Sequence, residues 1–109
     1  MNSDPERDLD PAAERARALE RAFVQSNAND MAGIQAALEA HDGRTIAQHA
    51  HRILGAALVL RERALSDAAQ RLEAEVSSET LSWDSVGTRI ESLSQAVVAY
   101  REKAERSTR

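Results

Sequence analysis

The chain has 109 residues, 42% of them hydrophobic and 29% charged, which fits one compact domain and leaves no length for a second. Its 21 alanines, against the three aromatic residues Phe23, Trp83 and Tyr100, suit closely packed helices and argue against a β-sandwich. The lack of cysteine excludes a disulfide framework, a thiolate metal site, an iron–sulfur cluster and a cysteine nucleophile, and a net charge of −4, with 13 Arg and one Lys, argues against nucleic acid as a generic partner.

Residues 1–9 are polar and aperiodic, and read as a flexible leader without the basic start and apolar core of a signal peptide. The longest apolar run, residues 56–60, covers five residues, far short of the ~20 that span a bilayer. A soluble, cytoplasmic protein without membrane contact is expected.

Helix formation should begin at Asp10-Pro11, an N-cap acceptor followed by a proline at the first helical position. Ala12, Ala16, Leu19 and Phe23 then recur at helical spacing. Ser26-Asn27-Ala28-Asn29 predicts a turn or a fresh cap, because these side chains compete for backbone hydrogen bonds. A second helix carries Met31, Ile34, Ala37 and Leu38 and ends at His41-Asp42-Gly43, where the glycine suits a left-handed C-cap. From about Arg44, Ile46, Ala50, Ile53, Ala57 and Leu60 mark the seam of a third helix. Ala64, Leu65, Ala68, Ala69, Leu72 and Val76 mark a fourth. A single helix over residues 44–76 would span about 50 Å, too long for a compact domain of this size, so a bend is expected near 61–63. Residues 77–82 read as a loop, and Val86, Ile90, Leu93, Val97 and Tyr100 line a last helix. The expected fold is all-α: an antiparallel four-helix bundle with an additional short N-terminal helix, over residues 10–105, followed by a frayed tail at 106–109.

One segment of the third helix departs from what a packed seam requires. His51 follows the seam residue Ala50, so its ring lies about 100° around the helix, toward the boundary or solvent. Gly55 stands one turn further on, where an interior glycine costs about 1 kcal/mol relative to the alanine this chain uses so freely. Removing a β-carbon beside His51 opens room for something to approach the ring.

Asp42, the run Ala50-His51-x-Ile53-x-Gly55-Ala56-Ala57, Leu65 and Leu72-Glu73 resemble the histidine-containing phosphotransfer (HPt) domain of multistep phosphorelays, over roughly residues 12–104. The resemblance implies that His51 accepts a phosphoryl group from a receiver-domain aspartate and passes it on, and that Gly55 leaves space for the receiver's active site. It places on Glu73 the residue that hydrogen-bonds the acceptor imidazole. A carboxylate there would hold Nδ1–H and leave Nε2 as the nucleophile. Gln70, one turn earlier, would give secondary support. The implied partners are the receiver domain of a hybrid sensor histidine kinase and a response regulator. The chain itself would be a monomeric phosphocarrier rather than an enzyme, without a cofactor of its own, the Mg²⁺ and acidic pocket being supplied by the receiver. Whether it is free-standing or the C-terminal domain of a hybrid kinase stays open.

Two positions depart from the family pattern. The lysine usual three residues after the acceptor is Leu54, and the glycine usual at the end of that helix is Arg61. Arg44 and Arg52 are candidates to replace the missing cation. Leu54, Leu58 and Ala47 place an apolar strip beside His51, which suits either a protein docking surface or cover by the N-terminal helix. His49 is on another face, partly packed or exposed, and His41 sits favourably at a helix C-terminus. A di-iron bundle would need Glu-x-x-His pairs, and the residues three before His41, His49 and His51 are Leu38, Ile46 and Gln48. The alternative to phosphotransfer is an HPt-like adaptor that docks receivers or other signalling proteins without taking phosphate.

Overall fold

The computed structural model describes residues 10–107, which form four helices: α1 (Pro11–Glu39), α2 (Gly43–Val59), α3 (Arg63–Val76) and α4 (Trp83–Ser107). Each helix packs closely on its neighbour in sequence, and α1 closes on α4, so the buried residues of all four helices share one core. Reversals at 40–42 and 60–62 and a longer loop at 77–82 make the antiparallel up-down order that short connections impose. The leader at 1–9 lies outside the described residues, as do positions 108 and 109 of the expected tail. The Ser107 hydroxyl, at the end of α4, donates to the Ala104 carbonyl at 2.9 Å.

The start of α1 follows the sequence: Pro11 occupies the first turn and the Asp10 carboxylate accepts from the Ala13 N–H at 3.2 Å. The expected turn at 26–29 does not form, so there is no separate short N-terminal helix. Phe23, Asn27, Asp30, Ile34 and Ala37 are all buried, in alternating steps of four and three residues that make one continuous seam. Asn27 and Asp30 occupy core positions of that seam, and burial against neighbouring helices outweighs their local preference for turns. The Asn27 side-chain amide has no hydrogen-bond partner among the described residues.

The core is otherwise the one expected from spacing: Ile46, Ala50, Ile53 and Ala57 from α2, Leu65, Ala69 and Leu72 from α3, and Val86, Ile90, Leu93, Val97 and Tyr100 from α4 are buried. Ala12, Ala16 and Leu19 are instead exposed, as is Ala64 in the first turn of α3. The end of α2 reaches only as far as a shallow groove that Val59 and Leu60 share with Leu19 and Phe23, so the first turns of α1 have no α2 to pack on. Phe23 meets Tyr100 edge-to-face at 5.2 Å, and burial there, reinforced by Glu20 and Glu62, pushes the Tyr100 phenol up to about 12.

Both tight reversals are closed by non-glycine residues in the left-handed region, His41 at φ 52° and Arg61 at φ 58°. At each, the N–H of the next residue reaches back to a carbonyl five positions earlier, Asp42 to Ala37 at 2.8 Å and Glu62 to Ala57 at 2.9 Å, the double-bonded helix stop that usually uses glycine. Gly43, expected to take that conformation, is instead the first residue of α2, and the His41 ring stacks on Trp83 with centroids 4.4 Å apart. Asp42 then caps α2, accepting from the Thr45 hydroxyl at 2.7 Å and the Thr45 N–H at 3.1 Å, and these bonds hold its carboxyl below the usual carboxylate value. The break near 61–63 is therefore built by a local stop. Helix length alone does not enforce it, since α1 runs unbroken for 29 residues.

Candidate functional site

The geometry of α2 decides what each of its flanks can do. Ala50 and Ile53 point into the core, so His51 is carried to the side facing α3, and its side chain is 73% exposed. On α3, Leu72 is buried and Glu73 follows it at the rim. The two rims meet: His51 Nδ1 lies 3.1 Å from Glu73 Oε2. A carboxylate only accepts hydrogen bonds, so Nδ1 carries the hydrogen, and in the neutral ring Nε2 then keeps its lone pair. Such an arrangement orients an exposed imidazole through one nitrogen and is chemically able to support attack by the other.

Gly55 lies exposed one turn beyond His51, and a β-carbon added to it would meet nothing within 4 Å. No packing among the described residues demands glycine there. Ala47 and Leu54 are half-buried, Leu54 against the core, while Leu58 is 61% exposed. Leu58 lines a shallow cleft with Arg61, Glu62, Arg63 and Ser66 at the α2–α3 turn. Cover by the N-terminal helix, one of the two readings of this strip, does not occur at Leu58. Gln70 is exposed and makes no hydrogen bond to the imidazole.

The two arginines considered as substitutes for the missing lysine are placed differently. Arg44 is exposed in the first turn of α2 and contributes weakly to the acidity of Asp42. Arg52 does not serve His51: its guanidinium donates to Asp30 Oδ1 from Nη2 at 2.7 Å and from Nε at 3.1 Å. Leu54 leaves the neighbourhood of His51 apolar where a cation was expected from the resemblance.

Sequence reasoning missed Asp30 and the role of His49. The Asp30 side chain is 5% exposed on α1 and also accepts from His49 Nδ1 at 2.8 Å. Gly33, one turn along α1, gives the His49 ring its seat: a β-carbon at Gly33 would lie 2.3 Å from His49 Nε2 and 2.5 Å from Cε1. The signal was present in the sequence, because Gly33 interrupts an alanine-rich helix just as Gly55 does. Among the described residues no group of three or more His, Cys, Asp or Glu could hold a metal ion, and no helix is long and apolar enough to cross a membrane.

Comparison with known families matches the model of the Hpt domain to residues 18–103, most of the chain. No curated protein and no solved structure matched.

Proposed function

From the premise that this chain belongs to the Hpt family, whose domains carry phosphoryl groups on a histidine in phosphorelays, we propose that it relays phosphate between receiver-domain aspartates through His51. The donor would be the receiver of a hybrid sensor kinase and the acceptor a response regulator. The observation that carries this reading is the exposed imidazole with Nδ1 on Glu73 at 3.1 Å.

In the forward step, the Nε2 lone pair attacks the phosphorus of an aspartyl phosphate. An N–P bond forms as the P–O bond to the aspartyl oxygen breaks, and the carboxylate leaves with the electron pair. The ring becomes cationic, retains its proton on Nδ1, and is stabilised there by the Glu73 carboxylate. The reverse step on a second receiver returns the neutral ring. Gly55 and the exposed Leu58 form the docking side for the receiver, which also supplies the divalent cation and acidic pocket that neutralise the transferring group. With Leu54 beside the ring, that neutralisation falls to the partner.

The test is incubation with a phosphorylated receiver domain, followed by assay for acid-labile, alkali-stable phosphate on this chain. Label on the wild type and none on His51→Gln is the expected result. Label that persists in the variant rejects His51 as the acceptor, and label that never appears on the wild type while the receiver still binds rejects phosphotransfer and leaves an adaptor.

A further inference from the structure

We propose that Asp30 and His49 are positioning residues for His51: by gripping the opposite flank of α2, they fix the rotation of that helix about its axis and so hold the His51 imidazole on Glu73. The functional meaning of this proposal rests on the phosphoacceptor reading, whereas its geometry does not.

Asp30 is a carboxylate on α1 whose side chain is 5% exposed, a placement that is unfavourable unless the charge is paired and hydrogen-bonded. Both of its partners come from α2. His49 Nδ1, Arg52 Nε and Arg52 Nη2 converge on Oδ1 at 2.8, 3.1 and 2.7 Å. Because Asp30 only accepts, His49 Nδ1 carries a hydrogen, and the 2.8 Å approach of Arg52 Nη2 to that nitrogen is two donors meeting at one oxygen. Gly33 supplies the space for the ring, so the pairing is shaped on the α1 side as well.

Two of the four buried residues of the α2 seam are alanines, Ala50 and Ala57, so within the seam only Ile46 and Ile53 present large side chains that resist rotation, and the polar contacts on the flanks add to them. At about 100° per residue, His49 lies on one side of Ala50 and His51 on the other. The two lateral hydrogen bonds therefore act on opposite flanks of one helix. The His51–Glu73 pair is a single contact made by an exposed ring, whereas the contacts on the other flank converge on a buried carboxylate. An atom about 6 Å from the helix axis moves by about 2 Å when the helix turns by about 20°, enough to break the bond to Glu73.

The experiment uses the full ¹⁵N-labelled chain and reads the ring-nitrogen shifts of His51 at neutral pH, together with the initial rate of label transfer from a phosphorylated receiver. In Asp30→Asn and His49→Ala, neutral His51 is expected to shift from the Nδ1–H form toward a mixture with the Nε2–H form. Transfer should fall roughly tenfold, the effect of losing one oriented hydrogen bond. His49→Asn, whose amide donates from near the position of Nδ1, should restore both. If Asp30→Asn does not fold, the His49→Ala and His49→Asn pair makes the same comparison. Variants that melt at lower temperature but keep wild-type His51 shifts and wild-type transfer overturn the proposal. Shifts that move in the variants while the wild type takes no phosphate uphold the positioning and overturn the phosphoacceptor reading.

Discussion

Replacing Gly55 with alanine is expected to stabilise the fold by about 1 kcal/mol, whereas the same replacement at Gly33 is expected to destabilise it, although both glycines sit inside helices. The gain at Gly55 is the difference in helix propensity, about 1 kcal/mol, with nothing to offset it because the new β-carbon meets no atom within 4 Å. In a domain of this size that raises the melting temperature by about 4–8 °C. At Gly33 the same gain is opposed. The β-carbon would stand 2.3, 2.5 and 2.9 Å from three atoms of the His49 ring. The ring must retreat by about 1 Å to reach van der Waals distance, which breaks its 2.8 Å bond to Asp30. Loss of a hydrogen bond to a charged, buried group costs about 1.5–3 kcal/mol, leaving a net loss of about 0.5–2 kcal/mol. Urea unfolding of the two variants should place them on opposite sides of the wild type, about 1.5–3 kcal/mol apart, with unchanged slopes. A Gly33→Ala protein as stable as Gly55→Ala would refute the seating of His49, and a destabilised Gly55→Ala would refute the open face.

Gly55→Arg should block label transfer from a phosphorylated receiver while raising the melting temperature by somewhat less than Gly55→Ala does, since arginine is also a good helix former; a large stability loss would mean that the glycine serves helix packing. Arg61→Gly should stabilise the chain by about 0.5–1 kcal/mol, since glycine removes the strain of a side chain at φ 58°, and a lower melting temperature would refute that account. Asp42 contributes stability above its usual value of 3.8, because its bonds to Thr45 and its nearby arginine favour the carboxylate in the folded chain. The difference between wild type and Asp42→Ala should therefore be full at neutral pH and vanish as the pH falls below 3.8, and a gap that persists in acid would contradict it.

The bundle itself was legible because apolar spacing is a property of the chain alone. The seams of α2 and α4 and the buried residues Leu65, Ala69 and Leu72 of α3 fell where a 3.6-residue period put them. So did the cap at Asp10-Pro11 and the pairing expected of His51 and Glu73, the first from local backbone chemistry and the second from a family pattern. The reading failed where a polar residue sat on the seam. Ser26-Asn27-Ala28-Asn29 looked like a break in α1 because local propensity was the only information available, and it is helical because Asn27 and the neighbouring Asp30 are buried by other helices.

The sequence by itself therefore determined the start of α1, the three helices that follow it, most of the core and the exposed histidine with a glycine one turn away, all of which depend on residues close together along the chain. Only the tertiary structure decided which arginine stands near which acid. Arg52 adjoins His51 in sequence yet lies across the helix from it, on an aspartate that is 22 positions away along the chain. It likewise separated two glycines that look alike in sequence, since Gly33 faces a ring from another helix and Gly55 faces open space. The reason is physical: a period reports which side of a helix is apolar, but the identity of the group across the gap depends on how helices are brought together.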